Sequence, residues 1–298
     1  MKKKLSLFQA FVLLICLTGC FLSDGNSTTS STSSGSSTKK NSSFSIIFID
    51  VGQGDSALIE CDGKYMLIDG GTESAKDKVR MVLEEKGVRE LEILALSHLH
   101  EDHIGGLGAK NGSALTVLSS IKNVIANSNS EYGEIEAYYK LRQYLTDFSC
   151  DIKVPNVGDT FSLGSATVEA LQVASIREND SLVLLITYGD TEFLFTGDIL
   201  QYAQEDLIRS CKEKGYEIDV IKMPHHGDCK DLHTLREFLE TFNVKNAVIS
   251  VGPNIYGHPS AYTENLLSEL KIQEYRTDLN GTITVKSDGE KITIEGNK

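Results

Sequence analysis

Three of the chain's seven histidines and one aspartate fall within the six residues His98-Leu99-His100-Glu101-Asp102-His103. The segment follows an apolar run over residues 91–96, with Ser97 between, and precedes Ile104-Gly105-Gly106. The run reads as a buried strand and the glycines as a turn. A strand ending here delivers four ligand-type side chains into one small volume, so the fold must carry a polar cluster at a strand tip. Imidazole and carboxylate at this density suit borderline divalent cations: zinc, and in places manganese or iron. His98 and His100 are two apart, so in extended backbone they project to the same side and can hold one cation together. Asp102 and His103 follow in the turn and diverge toward a second. Two cations about 3.5–4 Å apart share a hydroxide and clamp the attacking and leaving oxygens of an ester. A bound water then ionises near pH 7 instead of near 16. The pattern predicts hydrolysis without a serine or cysteine nucleophile.

The N-terminus reads as an address. Lys2, Lys3 and Lys4 precede an apolar stretch over 5–17 that is too short to span a bilayer comfortably. It ends in Leu17-Thr18-Gly19-Cys20, which resembles a bacterial lipobox, with Cys20 as the lipidated residue; a plain secretory leader is the alternative. Residues 23–43 are almost wholly Ser, Thr, Gly, Asn and Lys and cannot bury enough surface to fold. The expected organisation is a leader over 1–20, a tether over 21–43 and a folded domain over 44–298. The expected location is the outer face of the cell membrane, held by the lipid.

The formal net charge is −13, three units lower once the leader's lysines leave. An acidic chain gains no counterion-release term with nucleic-acid phosphates, which argues against a long nucleic-acid track. Cys61, Cys150, Cys211 and Cys229 follow the leader with no zinc-knuckle spacing. A disulfide and buried thiols both stay open. Strand patterns fall at 44–51, 56–61, 64–68, 91–96, 167–173, 182–188, 192–196, 218–223, 247–251, 281–286 and 291–295. Helical patterns fall at 75–86, 135–148, 200–214, 232–242 and 261–270.

Further acids and histidines sit at the ends of predicted strands. They are Leu67-Ile68-Asp69-Gly70-Gly71, Thr196-Gly197-Asp198 and Lys222-Met223-Pro224-His225-His226-Gly227. With His-x-His-x-Asp-His, these motifs resemble the metallo-β-lactamase-fold hydrolases. The resemblance implies an α/β, four-layered αβ/βα sandwich holding one or two Zn²⁺ or Mn²⁺ ions. His98 and His100 would serve the first ion, and Asp102, His103, Asp198 and His226 the second, with Asp198 bridging. His225 would face the substrate, or exchange roles with His226. Asp69 would be an outer carboxylate that fixes the histidine tautomers. One family feature is missing: no histidine occurs between Ile104 and Pro224, where a third ligand for the first ion is usual. Asn179, Asp180 or water would fill that position, and the first ion would be the more labile.

Five ordered motifs narrow the resemblance. Asp50-Val51-Gly52-Gln53-Gly54-Asp55-Ser56, Glu178-Asn179-Asp180-Ser181, Pro224-His225-His226-Gly227, Ser250 to Pro259 and Tyr275 to Gly281 are similar to the C-terminal hydrolase domain of the competence DNA-uptake channel family (ComEC). The long membrane segments of that channel are absent, so the chain reads as a stand-alone, lipid-tethered relative. By this resemblance Asp55 assists catalysis or orients a ligand, although its glycine loop is equally a tight hairpin. Asn254 and Tyr256 would flank the substrate or support the donors. His258 would bind phosphate or protonate the leaving oxygen, or simply pack against its own turn. The implied activity is an extracytoplasmic phosphodiesterase or nuclease using a metal-bound hydroxide, with Asp102, His225, His258 and Asp55 as catalytic groups. Its substrate would be a phosphodiester, nucleic acid included. A β-lactam or lactone hydrolase is the alternative enzyme, weakened by the missing mid-chain histidine. A non-catalytic surface-tethered binding protein is the other alternative, weakened by the complete donor set for the second ion.

Overall fold

The computed structural model describes residues 43–109, 111–127, 136–172 and 181–298. The leader with Cys20, residues 21–42 of the 21–43 tether, and Asn179 and Asp180 lie outside the described residues.

Two sheets form the interior. The first contains β1 (Phe44–Phe48), β2 (Ala57–Cys61), β3 (Lys64–Ile68), β4 (Glu90–Leu96), β5 (Ser120–Ala126) and β6 (Ile152–Lys153), with β14 (Ile283–Ser287) and β15 (Ile292–Gly296) joining from the C-terminus. Its order is β15-β14-β1-β2-β3-β4-β5-β6. The second contains β7 (Thr160–Leu163), β8 (Ala166–Gln172), β9 (Val183–Tyr188), β10 (Thr191–Phe195), β11 (Val220–Lys222), β12 (Asn246–Ile249) and β13 (Gln273–Arg276), in the order β13-β12-β11-β10-β9-β8-β7.

Strand periodicity explains the layering. In β1, Phe44, Ile46 and Phe48 turn toward the second sheet, whereas Ile47 turns the other way toward helices. In β10, Phe193 and Phe195 face the first sheet and Leu194 faces helices. Because both faces of these strands are covered, they read as near-continuous apolar runs instead of alternating ones. Phe44 stacks on Tyr188 and Phe193 with ring centroids 4.9 Å apart, and Phe48 stacks on Phe195 at 5.6 Å. Burying each such ring contributes about 1.5–3 kcal/mol.

The outer layers are helical. α1 (Lys76–Glu85) and α3 (Glu136–Asp147) cover the first sheet, and the one-turn α2 (Glu101–Ile104) follows β4. α4 (Gln201–Cys211), α5 (Leu232–Thr241) and α6 (Ala261–Leu270) cover the second, and the short α7 (Thr277–Asn280) follows β13. The arrangement is the αβ/βα sandwich that the motifs imply. β3 through β6 are parallel, as are β10 through β13, and α1, α4, α5 and α6 provide crossovers. In open α/β sheets ligands bind outside the carboxyl ends of parallel strands. Asp69 follows β3, His98 to His103 follow β4, Asp198 follows β10, His225 and His226 follow β11, and Asn254 to His258 follow β12. Among the described residues no helix is long and apolar enough to cross a membrane.

Candidate metal centre

Four donors from both sheets converge. One ligand atom from each of Asp102, His103, Asp198 and His226 lies within 4.8 Å of the others. His103 Nε2 is 3.2 Å from Asp198 Oδ2, and His226 Nε2 is 3.4 Å from the same oxygen and 3.1 Å from Asp102 Oδ2.

Outer partners fix which ring nitrogens face inward. His226 Nδ1 lies 2.9 Å from the Ser250 carbonyl, which can only accept, so Nδ1 donates and Nε2 faces the other donors, where it holds a proton or a metal. His103 Nδ1 donates to Asp69 Oδ2 at 2.9 Å with the same result. The buried His103 Nε2 has no hydrogen-bond partner among the described residues. At 3.2 Å from the Asp198 oxygen, Nε2 needs a positive charge between the two atoms, either its own proton or a metal that displaces it. The donor set therefore fits a divalent metal in both chemistry and orientation.

The electrostatics follow from burial opposed by charge. Burial alone would raise the Asp198 carboxyl, but the charges of His226, His103 and Lys222 outweigh it and hold it well below the usual range. Burial would lower His103 and His226, yet Asp198 and the neighbouring carboxylates push both well above the ordinary imidazole value. His98 goes the other way: burial, then the nearby His103, hold it well below. Burial raises the Asp69 carboxyl despite the opposing charge of His103.

The first-ion pair sits beside the quartet. His98 Nε2 is buried without a hydrogen-bond partner among the described residues and lies 3.8 Å from Asp198 Oδ2. Its Nδ1 lies 3.1 Å from Ser97 Oγ and 3.4 Å from Ser181 Oγ. His100 stacks edge-on against His98 at 4.5 Å and lines the cleft.

Of the two roles expected of Asp55, the loop's geometry matches the orienting one. Asp55 N donates to the Asp102 carbonyl at 3.1 Å, and a Cβ at Gly54 would run into that same carbonyl. The glycines thus serve a close backbone approach to the ligand loop. The Asp55 side chain is buried behind the donors, paired through Oδ2 with Lys222 and 3.5 Å from His226 Nδ1. It supports the donors from behind and does not line the cleft, because Lys222 and two imidazoles draw its carboxylate inward.

A cavity of about 830 Å³ opens over the quartet. His225 lines it, with Nδ1 3.2 Å from Asp228 Oδ2 and Nε2 4.0 Å from Asp198 Oδ2. His225 (φ 46°) and His226 (φ 55°) both adopt left-handed backbone, which costs about 1–3 kcal/mol each and turns both rings toward the donors. His258 also lines the cavity, and burial, reinforced by His225, lowers its pKa. Asn254 ties its loop together: its Nδ2 donates to the Gly252 and His258 carbonyls, and its Oδ1 accepts from the Tyr256 and His258 amides. Tyr256 stands 70% exposed on the lip. Sequence reasoning gave no role to Lys222, Asp228 or Lys230. Lys222 hid inside an apolar strand pattern, and the two others belong to no motif, so only the fold reveals their neighbours.

The profile described as Metallo-beta-lactamase superfamily matches residues 49–252. ComE operon protein 3 of Bacillus subtilis (strain 168) is 28% identical over 259 residues, covering 79% of this chain and 32% of that protein. Competence protein ComA of Neisseria gonorrhoeae is 28% identical over 240 residues, covering 78% and 31%. The chain thus spans about a third of the length of these relatives. Among solved structures, the metallo-beta-lactamase fold protein YhfI from Bacillus subtilis is similar with a TM-score of 0.55 at 10% identity, covering 82% of this chain and all of that one. CmlA, a diiron beta-hydroxylase from Streptomyces venezuelae, is similar with a TM-score of 0.53 at 15% identity, covering 84% and 54%.

Proposed function

The chain belongs to the metallo-beta-lactamase superfamily, and from that membership we propose that it is a metal-dependent phosphodiesterase or nuclease, tethered through lipid on Cys20 to the outer face of the cell membrane. The observation that carries the reading is the donor quartet at the floor of an open cleft whose walls offer His100, His225, His258 and Lys230.

Asp102, His103, Asp198 and His226 would hold one divalent cation, and His98 and His100 with Asp198 a second. Bound there, the metal would supply positive charge to the phosphoryl oxygens and acidify water. The chain's own residues do the rest. Asp69 and the Ser250 carbonyl fix the tautomers of His103 and His226. His258, kept toward its neutral form, offers a ring N–H to a phosphoryl oxygen, so of its two expected roles phosphate binding suits it better than proton donation. Asp228 orients His225 at the cleft wall. Lys230 adds an ammonium that an anionic substrate can share. The names of two relatives, Competence protein ComA and Recombination protein 2, favour a nucleic-acid phosphodiester. The leader and lipobox pattern support the location.

Purified protein supplied with Mn²⁺ or Zn²⁺ should cleave bis-(p-nitrophenyl) phosphate and single-stranded DNA, and Asp198→Ala should cleave neither. Equal rates for the two proteins would overturn the reading. In cells, Cys20→Ala should move the protein from the membrane fraction to the soluble fractions; unchanged membrane retention would rule out the lipid tether.

A further inference from the structure

Lys222 ends β11 in the middle of the second sheet, and its side chain is only 3% exposed. Burying an ammonium is costly unless its protons are all engaged. Here they are: Nζ meets Asp55 Oδ2, the Gly197 carbonyl at 3.1 Å and Asp198 Oδ1 at 3.4 Å.

The last contact divides Asp198 between two tasks. Oδ1 faces Lys222. Oδ2 faces four imidazoles: His103 at 3.2 Å, His226 at 3.4 Å, His98 at 3.8 Å and His225 at 4.0 Å. The backbone beneath is pinned as well. Asp198 N donates to Ser181 Oγ at 2.9 Å, and a Cβ at the left-handed Gly197 would lie 2.5 Å from that serine's side chain. β11 therefore supplies a cation to one oxygen of the carboxylate and, a few residues later, imidazoles to the other.

We propose that Lys222 is a positioning residue of the metal centre: by occupying Asp198 Oδ1 it leaves Oδ2 alone to face the other donors, and so sets the affinity with which the quartet would hold a metal. This rests on the metal-dependent reading above. A carboxylate released from the ammonium can rotate and offer either oxygen, and outer-partner losses of this kind weaken metal affinity by about 10–100-fold.

The test is direct titration of metal-stripped protein with Mn²⁺ and Zn²⁺, with thermal unfolding as a check on folding. Lys222→Met alone strands the buried Asp55 carboxylate, so the decisive comparison is Lys222→Met/Asp55→Asn against Asp55→Asn. The double variant should fold and bind about 10–100-fold more weakly than the Asp55→Asn reference. Equal affinity in those two variants would overturn the proposal and make Lys222 only the counter-ion of Asp55. Wild type that binds neither metal would overturn this proposal and the functional reading together. Wild type that binds, with variants unchanged, would overturn this proposal alone.

Discussion

The two sides of the Asp198 carboxylate are built differently. On one side Asp102, His103 and His226 close on its Oδ2, and both imidazoles are locked by strong acceptors, the Asp69 carboxylate and the Ser250 carbonyl. On the other side His98 leans on two serine hydroxyls and His100 lines the open cleft. Acceptors that fix a ring's tautomer also raise its basicity toward metal. The comparison ranks the two positions: a cation held in the quartet would be retained, and one held at the His98–His100 pair would exchange.

Stoichiometry breaks or sharpens that ranking most. His226→Ala should abolish the tight equivalent, an effect larger than the about 10–100-fold typical of outer partners. His100→Ala should leave that equivalent in place and remove only the weaker one. Isothermal titration of both variants reads the difference, and loss of the tight equivalent in His100→Ala would invert the ranking. Proton release gives a smaller effect. Without metal, His103 and His226 have raised pKa values and hold protons that binding must displace, whereas His98 is lowered and has none to give near neutrality. Affinity at the quartet should therefore climb with pH until those raised values are passed, then level off. The weaker equivalent should show the shallower dependence. Titration in two buffers of different ionisation enthalpy counts the protons, and equal release at both positions would contradict the asymmetry.

Much of this was legible from residue order. The strand at 64–68 and the helix at 261–270 match β3 and α6, where apolar period and turn residues agree. The patterns at 44–51 and 247–251 overran their strands because Val51 and Val251 stay buried in the loops beyond the last ladder bonds. β5 went unseen because Lys122 and Asn123 interrupt its apolar run, and both find partners on Glu92 of the neighbouring strand. β13 is a polar edge strand, Gln-Glu-Tyr-Arg, without a hydrophobic period. At the site, the ligand types announced themselves at the strand ends. Of the partners that orient them, Asp69 and Asp55 stood in recognisable motifs, whereas Lys222 and the Ser250 carbonyl acquire meaning only from neighbours distant in the chain.

Asp102 and His103 hang from the first sheet, and Asp198 and His226 from the second. The donor set thus gauges how one layer is seated on the other. Behind it lies the Phe48–Phe195 stack. A volume change there that slides one layer by about 1 Å would spread the donors and cost about 100-fold in rate without touching a cation. Drift in the apolar seam would therefore be disciplined by chemistry as well as by stability.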